Sequence, residues 1–106
     1  MTQATKSSDN VFADLGLDNP EELLAKAKLA LEISRILESR KLTQAKAAEI
    51  LGVDPAKVSA LVRGRLTGFS TDRLLRFLVA LGHDVEIKVK LKRPSRRGAR
   101  IKVEAA

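Results

Sequence analysis

The stretch from Thr43 to Gly64 sets small and apolar side chains at the spacing of two short helices joined by a tight glycine turn. Counted from Gln44, the packing positions of such a helix-turn-helix unit fall on Ala47, Ala48, Leu51, Val53, Val58 and Leu61, with the turn at Gly52. Ala48 is small enough for the second helix to cross close to the first. Gly52 can take the positive φ that ends a helix without a Cβ clash. Asp54 is expected to cap the next helix, its carboxylate accepting from the free N–H groups of the first turn, and Pro55 fits the first helical position, where its missing donor is not needed. A helix over 55–63 follows. Val58, Leu61 and Val62 can turn inward, and Ala56, Lys57, Ser59, Ala60 and Arg63 face out.

The rest of the chain reads as more helix and then a change of period. Residues 1–10 are polar and aperiodic, and Val11, Phe12 and Leu15 offer the first side chains able to dock. Asn19-Pro20-Glu21-Glu22 is a helix start, with two acids on the N-terminal dipole. The helix runs to about residue 40. Leu23, Leu24, Ala27, Leu31, Ser34 and Leu37 keep its period, and Leu29, Ala30, Ile33 and Ile36 widen the apolar face, which predicts burial on two sides. Arg40-Lys41 complement its C-terminal dipole and Thr43 caps the next helix, from Gln44 to Leu51. After the two-glycine loop at 64–68, Ser70 or Thr71 caps a helix reaching Leu81, with Leu74, Leu75, Phe77, Leu78 and Leu81 inward. Arg73 and Arg76 are expected in solvent or in ion pairs. From Val85 the period becomes two. Val85, Ile87, Val89 and Leu91 alternate with charged residues, the pattern of a β-strand. One strand cannot satisfy its own backbone, and a second copy related by a two-fold axis would supply the antiparallel partner.

Length allows one domain with a modest core, in 106 residues. Three parts are expected: a flexible segment over 1–18, a DNA-binding body over 19–92 and a basic tail over 93–106. The absence of cysteine leaves packing alone to hold the fold and removes thiolate metal sites. The first residues are polar where a signal peptide needs an apolar core, and no apolar run reaches membrane-spanning length, so a cytoplasmic protein without a membrane partner is expected. Twenty basic residues against 13 acidic ones give a net charge of +7. Six of those seven excess charges lie in residues 85–106. Such a balance favours a polyanionic partner. No catalytic set emerges, because His83 is the one histidine and the acids at helix starts are explained by dipoles. No cofactor or metal is expected.

Thr43-Gln44-Ala45, Ile50-Leu51-Gly52-Val53, Lys57-Val58-Ser59-Ala60-Leu61, Arg63-Gly64, Gly68-Phe69-Ser70, Leu74 to Leu78 and Gly82-His83-Asp84-Val85 together resemble the XRE-type regulators of the HigA-like antitoxin subgroup. The likeness spans about residues 20–91. It implies a mainly α, lambda-repressor-like bundle of about five helices, with the C-terminal strand pairing across a homodimer. It further implies a palindromic operator in double-stranded DNA, autorepression of a type II toxin-antitoxin operon, and a RelE-like toxin as protein partner. Where family members often carry Ser-Gln-Pro, this chain has Asp54-Pro55-Ala56, so a glutamine that frequently reaches bases or phosphates is missing.

Base reading needs donors and small apolar groups at the tip of an inserted helix. Lys57, Ser59 and Arg63 supply donors, and Ala56 and Ala60 can touch thymine methyls. Ser59 can equally fill a tight packing site. Thr43, Gln44, Lys46, Arg65, Ser70 and Thr71 are the phosphate candidates, with capping the plainer role for Thr43 and Gln44. Val85, Ile87, Val89 and Leu91 are the expected dimer contacts. The alternative function is a protein-interaction module that masks a toxin, or a stand-alone repressor without one.

Overall fold

The computed structural model describes residues 20–91 and 101–105. Expectations for Val11, Phe12, Leu15, the Asn19 cap and the basic stretch 92–100 lie outside them. Four helices stand among the described residues, against about five expected: α1 (Pro20–Ser39), α2 (Gln44–Leu51), α3 (Pro55–Val62) and α4 (Thr71–Ala80). α1 packs across α4 and α3, and α2 packs on α3 and α4. The core lies where the four meet.

All four helices end alike. A residue in the left-handed region, Lys41 (φ 54), Gly52 (φ 71), Gly64 (φ 78) or Gly82 (φ 88), follows each last turn. The next N–H then reaches back five residues, from Leu42 to the Leu37 carbonyl, Val53 to Ala48, Arg65 to Ala60 and His83 to Leu78. These six-to-one bonds satisfy carbonyls that the helix leaves open. Nothing lies within 4 Å of a Cβ built on Gly52, so its requirement is the backbone angle and not space. Lys41 holds the same conformation with a side chain, at a steric cost that glycine avoids.

The starts differ. Thr43 and Ser70 accept through their hydroxyls from the N–H groups of Lys46 and Arg73, each at 3.1 Å. Asp54 makes no side-chain cap bond, contrary to expectation; Pro55 at the first position and the backbone carbonyl of Asp54, accepting from Lys57 and Val58, start α3 instead.

Ile33, Val58, Leu61 and Leu74 are the most completely buried large side chains. Each is worth about 1.5–3 kcal/mol relative to exposure. Phe69 and Phe77 meet edge to face with centroids 6.0 Å apart and planes at 74°, a pairing worth about 0.5–1.5 kcal/mol beyond area. Burial of α1 on two sides is not what the fold shows. Ala25, Leu29, Ala30, Ile33, Ile36 and Leu37 face the core, while Leu23, Leu24 and Leu31 are about half exposed. One helix has more apolar positions than a single contact face can cover. Val62 likewise stays exposed, because Val58 and Leu61 already fill the inward side of α3.

Beyond the turn that follows α4, residues 83–91 form neither helix nor strand. Val85 packs against the core, whereas Ile87, Val89 and Leu91 are 75%, 90% and 99% exposed. No ladder forms among the described residues, so the expected strand pairing is not made within one chain. Residues 101–105 return to the body: Ile101 N–H donates to Glu21 Oε1 at 3.3 Å, and Val103 rests on the core. Lys102, 3.0 Å from Glu104, holds that carboxyl below its ordinary value by hydrogen bond and charge, with Lys90 and Lys88 acting in the same direction.

Candidate nucleic-acid interface

α3 is held to the body by one line of side chains. Val58 and Leu61 are 1% exposed, which fixes the helix in rotation. With about 3.6 residues per turn, Ala56 and Arg63 fall two turns apart on the opposite line. Both are exposed. Ser59 and Ala60 flank that line and are half-buried, Ala60 in contact with the core. The outer row therefore presents two alanines, a hydroxyl and a guanidinium, a small and polar surface with no large apolar group on it.

Lys57 is exposed but leans toward α4 and away from this row. Its Nζ lies 5.5 Å from the centroid of the Phe69 ring. The sequence grouped it with the outward residues, and it does face out, but on the flank of the helix.

The phosphate candidates divide between two places. Thr43 and Gln44 are exposed at the start of α2, and Lys46 is exposed beside them with Glu49 3.5 Å from its ammonium. Thr43 uses its acceptor in the α2 cap, which leaves its hydroxyl proton available. Ser70 is in the same position at the start of α4, where Thr71 is half-buried. Arg65 is exposed in the loop after α3. A cleft lined by Ser34, Leu42, Gln44, Val58 and Val62 opens on one side of the α2–α3 pair, and another lined by Glu49, Asp54, Lys57 and Arg73 opens on the other.

Two residues do more than sequence reading assigned them. Arg40 Nη1 donates to the Leu81 carbonyl at 3.2 Å, tying the end of α1 to the end of α4. Arg76 pairs with Asp72 at 3.2 Å, as expected, but Arg73 does not pair with a carboxylate among the described residues. Its guanidinium lies 5.8 Å from the Phe69 centroid and 5.7 Å from that of Phe77. The signal was present in the spacing, since aromatic residues stand four positions to either side of Arg73 and of no other arginine. Among the described residues no group of histidine, cysteine and acid side chains gathers as a metal set, and no helix is long and apolar enough to cross a membrane.

Residues 11–90 match a family described as a helix-turn-helix domain. A solved structure of a protein described as an XRE-family transcriptional regulator is similar at 45% identity and a TM-score of 0.76, covering 81% of this chain and 97% of that one. No curated protein matches.

Proposed function

This chain belongs to the XRE family of helix-turn-helix transcriptional regulators and binds DNA, and we propose that it does so as a homodimer at a palindromic operator. The observation that carries the reading is the outer row of α3. Ala56 and Ala60 are small enough to approach thymine methyls, Ser59 and Arg63 reach base edges as donors, and Lys57 stands at the edge of the row. Thr43, Gln44 and Lys46 at the start of α2 bind phosphate on one flank, where backbone N–H groups add to the side chains. Arg65, Ser70 and Thr71 bind it on the other.

The second copy is the partner that residues 85–91 require. Ile87, Val89 and Leu91 are exposed apolar side chains on a segment whose backbone makes no hydrogen bond among the described residues. Pairing with the same segment of another copy satisfies both, and it sets two α3 helices for successive major grooves, about one DNA turn apart. Val85 already touches the core and continues the row inward.

The resemblance to HigA-like antitoxins supports a finer assignment, autorepression of a toxin-antitoxin operon with a RelE-like toxin as protein partner. Footprinting on the DNA upstream of the coding sequence, together with co-expression with the neighbouring gene product, tests both levels. A protected palindrome and a co-purifying small basic protein are expected. Protection without such a protein leaves a stand-alone repressor, and a bound toxin without protection leaves a toxin-masking module.

A further inference from the structure

We infer that Lys57 and Arg73 act together as a grip on a DNA backbone phosphate, mounted on the ring of Phe69. The inference rests on the DNA-binding reading above and adds a residue, Arg73, that neither the motif nor the base-reading row contains. It also moves Lys57 from base reading to the backbone.

The two cations come from different helices and share one ring. Lys57 Nζ is 5.5 Å from the Phe69 centroid and Arg73 Cζ is 5.8 Å from it. Phe69 itself is buried, 3% exposed, so it is a fixed mount. A ring face attracts a cation while leaving its N–H groups free to donate outward, and it limits the freedom that a long side chain would lose on binding.

Neither cation makes an ion pair or donates a side-chain hydrogen bond among the described residues. Their neighbours differ in this respect. Lys46 has Glu49 and Arg76 has Asp72. Both charges thus line one cleft with no carboxylate at ion-pair distance among the described residues, whereas Lys46 and Arg76 each have one. The Lys57 ammonium lies close over the loop before α4, where a Cβ built on Gly68 would stand 3.2 Å from it.

The kind of anion follows from the rest of the cleft. Glu49 and Asp54 line it beside Lys57 and Arg73 and would repel a small anion free to wander. A phosphate fixed in a duplex is delivered to one edge only. With α3 in a major groove about 12 Å wide, a phosphate ridge passes each flank of the helix, and Lys57 and Arg73 lie on the α4 flank. The Ser70 hydroxyl accepts from the Arg73 backbone N–H at 3.1 Å, which fixes the start of α4 next to Phe69 in the chain.

The test compares wild type with Lys57→Gln, Arg73→Gln and the double variant, on the protected upstream DNA and on a scrambled duplex of equal length, over a range of salt. Each single variant is expected to weaken both duplexes by the same factor, leaving their ratio unchanged. The slope of log affinity against log salt should become shallower by about 0.9 for each phosphate that the variant no longer neutralises. A backbone scan with neutral methylphosphonates gives a second readout that does not depend on the variants' stability alone. Wild type should lose affinity at one or two positions where the double variant is insensitive to the replacement. An unchanged salt slope, or a weakening confined to the upstream DNA, overturns the grip while leaving DNA binding intact. Wild type that binds neither duplex overturns the DNA-binding reading itself.

Discussion

Val58 and Leu61 in α3 are 1% exposed, whereas Val89 and Leu91 beyond α4 are 90% and 99% exposed, although the four side chains are of similar apolarity. The difference is one of partners. The turn unit is closed by contacts a few residues away: Ala48 lets the helices approach, Gly52 reverses the chain, and α1 and α4 supply the floor. Residues 85–91 have only alternation. Alternation specifies which face is apolar and leaves open what covers it, so the same hydrophobic effect that completes the first region within one chain leaves the second exposed, the face to which the proposed second copy is assigned.

The largest effects should come from the first region. Leu61→Ala is expected to cost about 2–5 kcal/mol, through the missing transfer free energy and the residual cavity, measured by chemical denaturation. A destabilisation under about 1 kcal/mol would mean that α3 is less firmly held than its burial indicates. The second region should respond in the opposite way. Val89→Lys with Leu91→Lys should change the stability of the single chain by no more than about 0.5 kcal/mol, yet, under the proposed pairing, convert a wild-type dimer to monomer in sedimentation. Unchanged sedimentation would separate the exposed row from dimerisation.

Smaller changes sharpen the role of the helix ends. Gly52→Ala places a Cβ at φ 71 and should destabilise by about 1–2 kcal/mol, while Lys41→Gly should stabilise by up to about 1 kcal/mol for the same reason. Thermal melts of the two variants should move in opposite directions. The smallest effect is electrostatic. Glu104 is held below the ordinary carboxylate range by Lys102, so its contribution is fully present above that range and fades as pH falls through the lowered value. Carbon-detected titration should place its midpoint under that of a free glutamate, and Lys102→Met should raise it.

Much of this was legible in the sequence, and the exceptions have a common cause. Ala47, Ala48, Leu51, Val58 and Leu61 are buried as their spacing predicts, and the bounds of α2 are those read from Thr43 and Gly52. These are short-range facts: a cap, a turn, a period. Leu24 and Leu31 fit the period of α1 as well as Ile33 does, and only the placement of α4 decides which is covered. Arg73 and Arg76 look alike along α4, but the loop brings Phe69 under one of them. The expected Asp54 cap is absent for a similar reason, since proline at the next position and a backbone carbonyl suffice to start α3. The outer row of α3 was readable because it is whatever Val58 and Leu61 leave outside.

That row carries the functional account, and Arg63 tests it most directly. Affinities of wild type and Arg63→Ala for the protected upstream DNA and for a scrambled duplex should differ in one comparison only. The variant is expected to bind the upstream DNA more weakly by about 1–3 kcal/mol, and the scrambled duplex almost as well as wild type does, so that discrimination falls. Equal weakening on both duplexes, or none on either, would contradict base reading by α3.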